Sequence, residues 1–349
     1  MMLDWLAGLD EGVGNEAAVL VTVAIVEGSG PREAGTKMLV TQGRQFGTIG
    51  GGHLELRALE IARGMLAHAG PVSLQRFPLG PSLGQCCGGV VHLLFEPLGA
   101  ALAAVLQRLR DRRREDSWRL SAVDGQPVSV LCDAQAEVLV GASPVLPQFT
   151  PSRASHLLRD SGGRRWLVDA CLAPRAHLTL FGAGHVGAAI VRALAELPCH
   201  VTWVDEREDM FPPTVPENVA IEVSDTPEAL VAEAPPGASF LVMTHNHALD
   251  MRLSEAILAR ADAGWFGLIG SKTKRMQFEH RLQARGCAPE RVKAMVCPIG
   301  LAGIGNKAPP VLAASVVAQL LMVWEAEELA AAPSLLGLAR PQVDYMKSP

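Results

Sequence analysis

The sequence predicts a two-domain α/β protein: an N-terminal α/β domain with glycine-rich loops, followed by a doubly wound parallel sheet. Three observations lead there. Residues 177–207, HLTLFGAGHVGAAIVRALAELPCHVTWVDER, read as strand, glycine turn, helix and a second strand ending on an acid. The first half carries three more glycine clusters, each at the border of a strand or helix pattern. The chain of 349 residues suits two domains of ~150 residues each, and a break at Pro174 divides it into 1–173, 174–330 and a tail, 331–349.

Composition narrows the classes. Hydrophobic residues make up 49% of the chain, yet no apolar run approaches the ~20 residues of a membrane span. The acidic start, MMLDWLAGLDEG, lacks the basic region and long apolar core of a secretory signal. A cytoplasmic protein without a membrane attachment is expected. The net charge of −5 argues against broad nucleic-acid binding. Seven cysteines, an odd number without a C-x-x-C, suggest neither a disulfide framework nor a zinc site.

Taken in order, residues 17–26 form a β-branched run that predicts a buried strand. GSGPREAGTKMLV follows, where Arg32 and Lys37 lie among turn-forming glycines. Two readings are open: an anion-binding loop, or a hairpin turn with solvated charges. GTIGGGHLE then places Gly50, Gly51 and Gly52 before a helix, with His53 and Glu55 in its first turn; this is anion-ready geometry. GQCCGG holds Cys86 and Cys87 on a third glycine bed. Adjacent cysteines rarely pair with each other, so packing or contact with a soft ligand remains for them. Residues 100–114 predict an amphipathic helix and SWRLSAVDGQPVSV a hairpin turning at Asp124-Gly125. Residues 140–163, rich in Pro, Ser and Gly, predict a surface loop, and a strand at 165–170 ends the domain.

In the second half, Gly182, Gly184 and Gly187 form G-x-G-x-x-G directly after an apolar strand, with His185 opening the helix. This is the Rossmann-type turn: one glycine for the bend, one for phosphate approach and one for helix–strand packing. Asp205, 23 residues after Gly182, stands where a carboxylate can accept a ribose hydroxyl. THNHALD and GSKTKR fall at the carboxyl ends of two further strands, where such sheets bind ligands. His245, Asn246 and His247 lack a third ligand at metal spacing, which favours hydrogen bonding or helix capping. Ser271, Lys272, Lys274 and Arg275 suit phosphate recognition. The apolar helix at 311–328 is expected to pack between domains or against a second subunit.

Eight motifs in this order, GSGPREAGTKMLV, GTIGGGHLE, GQCCGG, LFGAGHVG, VDERE, THNHALD, FGLIGSKTKR and CPIGL, resemble the XdhC family of accessory proteins that mature xanthine dehydrogenase. The resemblance implies an XdhC/CoxI-type domain, a Rossmann domain and a non-catalytic chaperone. It implies that molybdenum cofactor in its molybdopterin form is received from its biosynthesis proteins and guarded while a cysteine desulfurase installs the terminal sulfur. The cofactor then passes to apo-xanthine dehydrogenase, and the carrier is a homodimer. Carried over, the implied cofactor contacts are residues 50–52 and 182–187, with Cys86 or Cys87 near molybdenum. His245, Asn246 or Glu55 could meet the pterin edge. The CoxI branch has a cysteine where His53 stands, so the xanthine-dehydrogenase branch is favoured and a thiol role at position 53 falls away.

Two rivals stand beside this reading. An NAD(P)-dependent oxidoreductase would use the fingerprint and Asp205 directly, but no hydride-transfer acid/base set is recognisable. A purely structural assembly factor would keep the turn as scaffold.

Overall fold

The computed structural model describes Trp5, Leu6, Gly8 and residues 16–80 and 88–331. Cys86, Cys87 and nearly all of the expected tail lie outside the described residues. The chain forms two compact units, Met1–Pro174 and Arg175–Pro349.

The N-terminal unit runs β1 (Ala18–Glu27), β2 (Lys37–Thr41), β3 (Gln45–Gly47), α1 (Gly52–His68), β4 (Ser73–Pro78), β5 (Val90–Pro97) and α2 (Ala100–Asp111). It continues with β6 (Ser117–Ala122), β7 (Ser129–Cys132), β8 (Val138–Val140), β9 (His156–Arg159) and β10 (Arg165–Cys171). These strands make two five-stranded sheets, β3-β2-β1-β5-β4 and β8-β7-β6-β10-β9, each antiparallel throughout. β9, inside the stretch expected to be a surface loop, is the edge strand of the second sheet. Its four residues are too short a run to show alternation against their Pro- and Ser-rich surroundings.

β1 reads as a continuous apolar run because both of its faces are covered. Val19, Val21 and Val23 pack with Leu54, Ala58 and Ala62 of α1, whereas Leu20 and Ala24 join clusters that include Leu131 and Leu167 of the second sheet. Thr22 shares that second face and meets a charge cluster between the sheets. Arg119 donates to Glu96 at 2.8 and 3.0 Å, to Asp169 at 3.0 Å and to Thr22 at 3.3 Å. Lys37 donates to Asp169 at 2.9 Å and to the Gly35 carbonyl at 2.6 Å. Arg119 and Asp169 are fully buried, so the cluster exists only because each charge has its opposite.

The second unit contains β11 (Ala176–Phe181), α3 (His185–Leu194), β12 (Cys199–Asp205), β13 (Val219–Val223), α4 (Pro227–Glu233) and β14 (Ser239–Val242). It ends with α5 (His247–Ala259), β15 (Phe266–Leu268), α6 (Lys272–Ala284), α7 (Pro289–Ala294) and α8 (Pro309–Ala331). All five strands are parallel in the order β13-β12-β11-β14-β15, so the order reverses between β11 and β14. One face packs on α3 and α8, the other on α5 and α6. α8, expected at a domain or subunit border, contributes one face to the core of its own unit. Ala313, Val316, Val317, Leu320 and Trp324 recur at helical spacing and join the α3 cluster, each large side chain contributing about 1.5–3 kcal/mol by burial. Trp324 also donates to Ser239 at 3.0 Å.

Candidate functional site

In the N-terminal unit two glycine motifs, GSGPREAG and GTIGGGHLE, converge, together with Gly89 at the end of the third. A methyl on Gly50 would meet Pro31 at 2.7 Å, and one on Gly89 would meet the Ser29 carbonyl oxygen at 2.2 Å. The GSGPREAG loop therefore lies against Gly50 and against Gly89, at distances only glycine tolerates. Gly50, Gly51 and Gly52 have φ of 116°, 74° and 64°, a left-handed run that turns the chain into α1.

The amides this turn exposes are answered by the protein itself. Glu55 accepts from Ile49 N at 2.9 Å, Gly51 N at 3.1 Å, Thr48 Oγ1 at 2.5 Å and Gln45 Nε2 at 2.9 Å. Burial opposes its ionisation, yet these donors outweigh burial and hold the carboxyl below its ordinary value. His53 is exposed in the first turn of α1. Lys37, one of two cations expected to meet an anion, is 7% exposed and held by Asp169 and Gly35, so it braces the loop from behind.

A register irregularity in β1 lies beside a hollow in this region. β1 pairs with β2 only as far as Thr22, and its register against β5 shifts between Val23 and Ile25. Beyond Thr22 the end of the GSGPREAG loop still pairs with Val23, through Val23 N to Thr36 O and Gly35 N to Val23 O, both 2.8 Å. The hollow is a cavity of about 870 Å³ bounded by residues 24–26, by the loop with Arg32 and Glu33, and by residues 155–157 of the second sheet. The Pro- and Ser-rich surroundings hid the contribution of Ser155 and His156 in the sequence.

The Rossmann turn is built as its spacing foretold. Gly182 has φ 119°, and a methyl there would meet the Met243 carbonyl oxygen at 2.4 Å; on Gly187 it would meet the Gly182 carbonyl oxygen at 2.2 Å. On Gly184 it would meet nothing within 4 Å, so this glycine alone of the three faces open space. His185 is exposed at the first turn of α3. Asp205 closes on the turn: Oδ2 accepts from Ala183 N at 2.7 Å and Arg207 Nη2 at 3.0 Å, and Oδ1 from Arg207 N and Nε at 3.1 and 2.9 Å. Burial opposes its charge, but Arg207 and the Ala183 amide hold the carboxyl below its ordinary value. Beside it, residues including Glu206, Pro227 and His245 leave a cavity of about 10 Å³, room for about one water.

The strand-end loops are tied together by a network the sequence did not reveal. Asp250, fully buried, accepts from Thr244 Oγ1 at 2.7 Å and from Lys274 Nζ at 2.6 Å, and Lys274 also donates to the Ile269 carbonyl at 2.9 Å. Arg275 donates to Glu279 and to the Cys297 and Lys293 carbonyls. Two of the three cations read as phosphate partners thus hold the fold together, while Lys272 is exposed. Asn246 caps α5 through Ala248 N and Leu249 N, and Ser271 caps α6 through Lys274 N. His245 lies 3.6 Å from Glu206.

Among the described residues no group of three or more His, Cys, Asp or Glu could hold a metal ion. Burial pushes the thiols of Cys132 and Cys199 up to about 11 and that of Cys171 up to about 12, so all three remain neutral, poor ligands at neutral pH.

These features define a two-domain protein in which a β-rich unit with a ligand-sized hollow precedes a Rossmann unit whose turn is engaged by Asp205. Residues 178–320 match the XdhC Rossmann domain, and residues 14–78 match the XdhC and CoxI family. The chain belongs to the XdhC family. A Bacillus subtilis protein named as a probable xanthine dehydrogenase subunit is 24% identical over 330 residues, 88% of this chain and 93% of its own length. The uncharacterized YqeB of Escherichia coli K12 is 30% identical over 170 residues; the match spans 47% of this chain but 30% of YqeB. The crystal structure of a xanthine dehydrogenase from Bacillus halodurans has the same fold, with a TM-score of 0.73 at 20% identity, covering 95% of this chain and 98% of that one.

Proposed function

We propose that the chain is an accessory factor for a xanthine dehydrogenase, a carrier that holds molybdenum cofactor in its molybdopterin form and delivers it to the apo-enzyme. The observation that carries this reading is the convergence of GSGPREAG, GTIGGGHLE and the glycines after Cys87 in one place, next to a ligand-sized hollow. Family membership and the name of the Bacillus subtilis relative supply the enzyme class.

The donor set suits the organic part of the cofactor. Backbone of the GSGPREAG loop and Arg32 offer partners for a phosphate, and Glu33 and His156 for a heterocyclic edge. When bound, the cofactor would supply a molybdenum–dithiolene centre whose terminal sulfur is exchangeable. We assign a thiolate contact to that centre to Cys86 or Cys87, the pair on the third glycine bed. The protein's own work is to bind, orient and screen the cofactor from water. Molybdenum cofactor biosynthesis proteins and a cysteine desulfurase would act upstream, in the cytoplasm, on a homodimeric carrier.

The NAD(P) reading fits less well. A dinucleotide needs a ribose acceptor and an adenine slot, and here Asp205 already receives four hydrogen bonds beside a cavity of about 10 Å³. The test is molybdenum and pterin content of protein from a cofactor-producing host, with activation of apo-xanthine dehydrogenase. Stoichiometric, transferable cofactor is expected. An empty protein that binds NADH tightly and activates nothing would end the proposal.

A further inference from the structure

The second sheet of the N-terminal unit turns one face to the first sheet and the other to a strap of irregular chain. Leu131 and Leu167 join the clusters shared with Leu20 and Ala24. Their strand neighbours Cys132 and Trp166 lie with Leu120 in a separate cluster on the opposite face, as strand alternation requires. Residues 141–152, GASPVLPQFTPS, cross this outer face without forming a strand or a helix. Both ends of the strap are pinned. Gly141, at φ 90°, lies so close to the Ser129 carbonyl oxygen that a methyl would meet it at 2.5 Å. The Ser152 carbonyl accepts from Trp118 Nε1 at 2.7 Å.

Between the pins, Pro144, Pro147 and Pro151 fix φ and withhold backbone donors, so the strap bridges the sheet instead of pairing with it. Leu146 and Phe149 pack against the outer cluster as two pegs. Beside them lies a cavity of about 570 Å³, lined by Leu120 and Cys132 of the strands, Ala136 of the β7–β8 turn and residues 146–150 of the strap. That volume is within the ~300–1,000 Å³ typical of small-molecule sites. It shares no lining residue with the hollow under GSGPREAG.

The lining decides what can enter. None of its residues carries a charge, and its amide and hydroxyl side chains, Gln148 and Thr150, are exposed. Burial pushes the Cys132 thiol up to about 11, and the nearby charges of Asp133 and Glu137 push the same way. An anion would therefore find no cation in the lining and two carboxylates close by, and a buried charge without a partner is costly. Phe149 offers a ring, and Cys132 a polarizable sulfur, to an aromatic guest. We infer that this cavity binds an uncharged aromatic molecule the size of two fused or linked rings, seated on Leu120, Cys132 and Phe149 with any polar substituent at Gln148 and Thr150. The site goes beyond the carrier reading and does not depend on it: cofactor content tests the one, and dye binding the other.

The test is a fluorescence titration of the full chain with N-phenylnaphthylamine, which is uncharged, and with anilinonaphthalene sulfonate, the same ring skeleton carrying an anion. Wild type should bind the uncharged dye saturably, one per chain, and prefer it over the sulfonate by tenfold or more. Cys132→Met and Leu146→Trp add bulk at the wall and at a peg, and each should weaken the uncharged dye by tenfold or more. On the wild-type protein itself, bound dye should slow amide hydrogen exchange in residues 142–150. Equal affinity for the two dyes would reduce the site to a non-selective apolar surface and overturn the inference. So would the absence of saturable binding, unchanged affinity in either variant when folded, or unchanged exchange in the strap.

Discussion

The GSGPREAG region and the GAGHVG turn are both glycine-rich, and both surround a carboxylate of the chain itself. Glu55 takes the amides of Ile49 and Gly51, and Asp205 takes those of Ala183 and Arg207. They differ in what is left over. Beside the first, residues 24–26, the loop and residues 155–157 line a cavity of about 870 Å³; beside Asp205 in the second lies one of about 10 Å³. A glycine pattern thus reports that backbone comes close to something, and in most of these positions the something is protein. Gly187 clears the Gly182 carbonyl and Gly89 clears the Ser29 carbonyl, whereas Gly184 and Gly51 face open space.

The largest effect should come from the charges that brace the roomy region. Arg119→Met leaves Glu96 and Asp169 buried without their guanidinium, and should cost about 3–5 kcal/mol in chemical denaturation. A loss under 1 kcal/mol would mean that the cluster does not support the hollow. Acid should act on the same place. Burial opposes the charge on Asp169, but Lys37 and Arg119 outweigh it and hold its carboxyl below the ordinary value. Its stabilisation is therefore complete above the unfolded pKa of ~3.9 and is lost as pH falls from there through the folded value. An Asp169→Asn protein should be less stable at neutral pH and show a smaller loss of stability across that window. An equal loss in both proteins would place the acid-sensitive step elsewhere.

The tight region should discriminate between its glycines. Gly187→Ala presses a methyl onto backbone and should destabilise by about 1–3 kcal/mol, whereas Gly184→Ala, with open space and φ −70°, should stay within about 0.5 kcal/mol. Thermal melts of the two variants test this, and equal losses would show that position 184 is not open. The smallest effect is expected for NADH: its fluorescence should not saturate below about 1 mM, since the ribose acceptor is already engaged. A micromolar dissociation constant would break the contrast between the regions.

Much of the fold was legible because its signals are local. The strand, turn and helix around Gly182 lie in one short stretch, and β1 announces its burial by an unbroken apolar run. The braces were not legible. Lys37 and Asp169 stand 132 residues apart, and nothing near either one marks it as the other's partner. The same holds for Lys274, which looked like a phosphate ligand until the fold joined it to Asp250. Residues 155–157 escaped notice because a short edge strand in a Pro- and Ser-rich stretch carries too little periodicity. The α8 helix looked like an interface because it is apolar over much of its length; one face, with Val316, Leu320 and Trp324, serves the core beside it, while Met322 and Leu329 are exposed.

The central claim is that the N-terminal hollow, and not the Rossmann turn, holds the cofactor's organic part. Molybdenum and pterin content of Glu33→Gln and Gly184→Val proteins from one cofactor-producing host tests it most directly. The account expects Gly184→Val to retain the wild-type content within twofold and Glu33→Gln to lose most of it. Retention in Glu33→Gln with loss in a folded Gly184→Val protein would contradict it.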